Sequence, residues 1–118
     1  MEIVESQIDR DYLLEISGGD SEFERDLIQT FLEAAPALLQ SYAAAIESNA
    51  GLGVRHAAHT LKGSSRSIGA NVFAQVCEAA EKAARADDLA TCQELLPEIE
   101  ASFEALRAYG QTILAEAA

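Results

Sequence analysis

Apolar residues recur along the second half of the chain at helical intervals. Val54, Ala57, Ala58, Leu61, Ser65 and Ile68 follow the i, i+3, i+4, i+7 order of one helical face. Phe73, Val76, Cys77, Ala80 and Ala84 repeat that order. Cys92, Leu96, Ile99, Phe103, Leu106, Gly110 and Ile113 alternate steps of four and three, which is the seam of a helical bundle. No segment alternates apolar and polar residues cleanly, so the pattern predicts an all-α chain. Turn residues divide it. A short helix over 7–17 ends at Ser17-Gly18-Gly19-Asp20, and Asp20 or Ser21 caps a second. Glu22 and Glu24 fall in its first turn, near the positive end of the helix dipole. Pro36 suits the first turn of a third helix, 36–48, and Asn49-Ala50-Gly51 forms a turn. A fourth helix spans 52–68 and stops at Gly69. Asn71 caps a fifth that ends near Ala86, and Asp87 or Asp88 caps a sixth that continues to Ala115. Pro97, inside the last helix, kinks it or marks a later start. Short loops make neighbouring helices antiparallel. The expected architecture is therefore an antiparallel four-helix bundle over 36–115, with one or two short N-terminal helices packed on it. The whole chain, 1–118, reads as one domain.

Composition narrows what such a bundle does. Hydrophobic residues make up 49% and charged residues 24%, ordinary values for a globular chain. No apolar run is long enough to span a membrane, and the N-terminus has no basic start or apolar stretch of a secretory signal. A net charge of −12 argues against general nucleic-acid binding and against docking on anionic lipid, both of which rest on Lys and Arg. Cys77 and Cys92 form no CxxC unit or disulfide framework and read as reduced, buried thiols of a cytoplasmic protein.

The charge is unevenly placed. Between Glu47 and Glu78 lie thirty positions without an acid, and within them sit Arg55, His56, His59, Lys62 and Arg66. At about 100° per residue, His59 lies about 140° from Val54, with Arg55, Lys62 and Arg66 to one side and Gly63 to the other, opposite the apolar stripe. One outward face thus carries a histidine among bases, with a glycine one turn on. A glycine inside a helix costs about 1 kcal/mol relative to alanine. Facing outward, it serves close approach of another backbone rather than core packing.

His59-Thr60-Leu61-Lys62-Gly63-Ser64-Ser65, continuing to Ile68-Gly69-Ala70, resembles the signature of histidine-containing phosphotransfer (HPt) domains. The resemblance extends over about residues 10–108, through the Gly-Gly-Asp turn before the second helix and the helix from Val76 to Arg85. It implies a phosphocarrier of two-component phosphorelays, whose histidine takes a phosphoryl group from a receiver-domain phospho-aspartate and passes it to another receiver. Carried onto this sequence, it makes His59 the phosphorylated nucleophile, Lys62 the base that neutralises phosphoryl charge and Gly63 the close-approach glycine. Glu81 falls where some members carry a glutamine that bonds the imidazole. From there a carboxylate accepts the proton of one ring nitrogen and leaves the other free to attack. Arg66 departs from the small residue common at its position. Together with Arg55 it is expected to contact partners, while His56 matches no required position. The implied partners are response-regulator receivers or a hybrid sensor kinase. The implied Mg²⁺ sits on the receiver, and this chain carries no cofactor or metal of its own. With no nucleotide or phosphate-loop motif, no autonomous kinase activity is expected. The chain is expected to be a monomer, and one bundle with both ends in place favours a stand-alone carrier.

Two rivals are weighed against this. A metal site using His56 and His59 lacks the inward Glu-x-x-His pattern of di-metal bundles, and its segment holds no acid. An adaptor bundle that docks acidic partners through the same basic face, without phosphoryl chemistry, is separated from a carrier by whether transfer survives His59→Gln.

Overall fold

In the computed structural model, which describes residues 7–116, Asp9 opens the first helix. Its carboxylate accepts the Tyr12 N–H at 3.1 Å, and helix α1 (Arg10–Ser17) ends where Gly18 turns left-handed at φ 64°. The Asp20 carboxylate accepts the N–H groups of Glu22 and Phe23 and starts α2 (Ser21–Glu47). Three-residue turns then join α3 (Gly51–Ser67), α4 (Asn71–Arg85) and α5 (Leu89–Leu114). Asp88 caps α5 through the Thr91 N–H. Asn71 does not cap α4 as expected: the N-cap is Ala70, which makes no side-chain bond, and Asn71 is the first helical residue.

The four long helices form a ring, α2 against α3, α3 against α4, α4 against α5 and α5 back against α2, while α1 packs on α2. The described residues contain helices only. Gly69 fastens the N-terminal segment to this ring. Its carbonyl accepts the Asp9 N–H at 2.9 Å, its φ is 76°, and a Cβ there would stand 3.2 Å from the Asp9 carbonyl oxygen.

The structure corrects one boundary. Residues 21–47 are a single helix through Pro36, so the bundle is α2–α5 and α1 alone is the short N-terminal helix. An interior proline removes one backbone hydrogen bond and costs about 3 kcal/mol. Ile28, Phe31 and Ala35 on one side of it and Tyr42 on the other share one buried stripe, while the proline ring is exposed. Burying a side chain such as Ile28 or Phe31 contributes about 1.5–3 kcal/mol each, so keeping both halves on the core outweighs the proline. Pro97 is likewise exposed within a continuous α5.

The core is centred on Phe31, Phe73 and Phe103, whose ring centroids lie 5.8–6.3 Å apart. Every residue of the predicted α5 seam is buried except the half-buried Leu96. The buried Tyr42 hydroxyl donates to the Cys92 carbonyl at 2.7 Å. Cys77 and Cys92 are buried free thiols, and burial pushes Cys77 up to about 12.

Candidate functional site

Because α3 buries Val54, Ala57, Ala58, Leu61 and Ser65, its opposite face must look outward. His59 stands on that face with 64% of its side chain exposed. Gly63, one turn on, is exposed, and a Cβ there would meet nothing within 4 Å. No packing among the described residues therefore calls for a glycine.

Glu81 reaches this face from α4. Its side chain is only 3% exposed, and an isolated anion so placed would be strongly disfavoured. Three cationic or cation-forming groups surround it. Lys62 Nζ approaches Oε1 at 2.5 Å, and no other donor reaches that oxygen among the described residues. His59 Nδ1 lies 2.9 Å from Oε2, and Arg85 donates to the same Oε2 at 2.7 Å. Burial by itself would raise the Glu81 carboxyl, but Lys62 and His59 outweigh it and bring the group from 4.5 down to about 2. At neutral pH Glu81 is thus an anion that only accepts hydrogen bonds, so the proton between it and His59 belongs to Nδ1. In the neutral ring that leaves the Nε2 lone pair free.

The other residues singled out in the sequence fall around this pair. Lys62 is 16% exposed and turned to Glu81. Arg55 and His56 are exposed and, with Leu52, form the α3 wall of a shallow cavity of about 340 Å³ beside His59. Glu81 and Arg85 form its α4 wall. Arg66 pairs with Glu78 at 3.2 Å on the surface, away from the cavity. Sequence reasoning missed Arg85. Its one signal was the four-residue spacing from Glu81 on a helix. It also missed an apolar groove of about 410 Å³ between α2 and α3, lined by Phe23, Leu27, Phe31, Leu38, Ser64 and Ser67. Among the described residues no group of three or more His, Cys, Asp or Glu side chains is placed to hold a metal ion. No described helix is long and apolar enough to cross a membrane.

Comparison with known proteins bears on this arrangement. The family described as Hpt domain matches residues 26–109. Among solved structures, histidine-containing phosphotransfer protein B (HptB) from Pseudomonas aeruginosa PAO1 matches with a TM-score of 0.85 and 25% identity, over 97% of this chain and 100% of that one. No curated protein sequence matches the chain.

Proposed function

This chain belongs to the Hpt domain family, the histidine phosphocarriers of phosphorelays, and from that premise we propose that His59 takes a phosphoryl group from the phospho-aspartate of a receiver domain and hands it to a second receiver. The observation that carries the proposal is the Nδ1–Glu81 hydrogen bond, which leaves Nε2 as the free nucleophile on an exposed ring. In the forward step the Nε2 lone pair attacks phosphorus. The N–P bond forms as the acyl P–O bond breaks, and the P–O electron pair returns to the aspartate carboxylate. The ring keeps its Nδ1 proton and gains a positive charge, for which Glu81 is the counter-ion. Onward transfer reverses these changes on the next aspartate.

Phosphoryl transfer of this kind asks chiefly for in-line positioning and charge neutralisation. The receiver brings an acidic pocket with its Mg²⁺, and this chain needs no cofactor of its own. It acts as a carrier without autonomous kinase activity, as a soluble cytoplasmic monomer that binds neither nucleic acid nor membrane. Lys62 supplies charge to the site and keeps Glu81 ionised and aimed. Partners dock over Gly63, with Arg55 and Arg66 as charged contacts and the α2–α3 groove as the apolar one.

The test is transfer of labelled phosphate from a panel of phosphorylated receivers to the chain and to its His59→Gln and His56→Gln variants. The expected product is acid-labile, base-stable label on the chain and on His56→Gln, and none on His59→Gln. Equal labelling of both variants would remove His59 as the acceptor. Receiver binding with no transfer from any receiver would make the chain an adaptor.

A further inference from the structure

A single exposed leucine is ordinary on a protein surface, and what sets Leu52 apart is its place. It is 82% exposed, the most exposed large apolar side chain among the described residues. Its chain neighbours Gly51 and Gly53 have no side chains to cover it. Seven residues, close to two turns, separate it from His59, so the two lie about 10 Å apart along α3 and within about 20° around it. Leu52, His56, His59 and Gly63 thus step by four, three and four along the outward face of α3. By that spacing a helix meets a second element packed along it. Leu52 lines the cavity at His59 and no part of the α2–α3 groove. Arg55 and His56 share its wall and are exposed. An apolar side chain within a polar rim is the anatomy of an interface anchor.

A receiver that takes His59 into its pocket covers the surface around the ring. Even a small transient interface covers about 600 Å² of each partner, a disc of about 14 Å radius, and Leu52 falls inside it. The acidic pocket is common to receivers, so the bases of this face attract them alike. An apolar contact discriminates. A facing apolar side chain gains by burial on Leu52, whereas a polar one is desolvated there without a partner. We propose that Leu52 is the anchor that selects among receivers. It favours those with an apolar side chain on the pocket rim that meets the first turn of α3. This rests on the phosphocarrier function proposed above and assigns partner choice within it. Leu52 acts on docking and leaves the chemistry at His59 untouched.

Single-turnover transfer from a panel of phosphorylated receivers is measured against receiver concentration for the chain and its Leu52→Ser and Leu52→Met variants. For the receivers that half-saturate the unsubstituted chain at the lowest concentration, Leu52→Ser is expected to raise that concentration about tenfold. The rate at saturation should stay within about twofold, since docking and not transfer is weakened. Leu52→Met keeps an apolar side chain of similar volume and should stay within about twofold in both measures. Receivers that bind the unsubstituted chain weakly should lose less than about twofold with Leu52→Ser. Labelling by potassium phosphoramidate, a donor that needs no receiver, should run equally in all three chains. An unchanged half-saturating concentration for every receiver overturns the proposal. So does an equal rise for all of them, which would make Leu52 a contact without selectivity. A slower rate at saturation or slower phosphoramidate labelling of Leu52→Ser overturns it too, by placing Leu52 in the transfer step. A chain that accepts no label from any donor contradicts the phosphocarrier function itself, a distinct result that takes this selection with it.

Discussion

A carboxylate as buried as Glu81 stays ionised only while cations face it, so its charge is part of the fold as well as of the site. Its titration is lowered from 4.5 to about 2, which corresponds to a contribution on the order of 3 kcal/mol. The sign follows from the direction. Stability from a depressed carboxyl is fully present above the unfolded value near 4.5 and is lost as pH falls toward 2. Glu81→Gln is therefore expected to be less stable than the parent at neutral pH, with the gap closing between about pH 4.5 and 2 in denaturant melts. A gap that is constant with pH would show that Glu81 stabilises by shape and not by charge. Gly63 makes the opposite kind of prediction. Gly63→Gln puts a better helix former where none of the described residues is displaced, so stability should rise by about 0.5–1 kcal/mol. Phosphotransfer from a receiver should nevertheless fall about tenfold or more, as expected when a side chain intrudes on a close backbone approach. Normal transfer with a lowered melting temperature would make the glycine structural. His59, Lys62 and Gly63 were legible because one helical wheel places them together. Glu81 was legible only through the resemblance. The partner of Lys62 was not, because a wheel gives direction on one helix and not reach across two. Arg85 was lost because a base in the last turn of a helix, here beside Lys82, reads as a solvated residue.

At the scale of elements, caps and periodicity carried most of the fold. The turn at Gly18 and Gly19, the Asp20 and Asp88 caps, the Gly69 stop and the α5 seam all lie where local chemistry puts them. At Pro36 local preference yields to burial, while Asn71 stands one residue inside a helix whose N-cap position is the buried Ala70. The stripe from Ile28 to Tyr42 continues across Pro36, and tertiary contact with α3 and α5 holds the helix together where the proline alone would break it. This makes Pro36 a removable burden. Pro36→Ala restores an N–H to a solvent-facing turn and is expected to raise unfolding stability by about 1–3 kcal/mol, reduced somewhat by the added freedom of the unfolded chain. Transfer rates should not change, since Pro36 lines neither the cavity at His59 nor the α2–α3 groove. A lower denaturation midpoint would show that α2 is built around the proline and does not merely tolerate it.

Over the whole molecule, a charge of −12 surrounds a face that gathers Arg55, Lys62, Arg66 and Arg85. Three of these are engaged differently from what charge counting suggests. Lys62 and Arg85 are paired with Glu81, and Arg66 shares its charge with Glu78. Arg55 is an exposed cation on the α3 wall of the cavity and the residue suited to steering an acidic receiver. Arg55→Ala should lower the second-order transfer rate about threefold or more at low salt, approach the parent at high salt and equal it at saturating receiver. Arg66→Ala should do less. A deficit in Arg55→Ala that persists at saturation would place Arg55 in the transfer step. The proposed transfer turns on two nitrogens of one ring: Glu81 holds Nδ1 and leaves Nε2 to take the phosphoryl group. Long-range ¹H–¹⁵N and ³¹P spectra of the phosphorylated, ¹⁵N-histidine-labelled chain read this directly. The expected spectrum has phosphorus coupled to Nε2 of His59 and a proton retained on its Nδ1. Phosphorus on Nδ1 of His59, or on His56, would contradict the account.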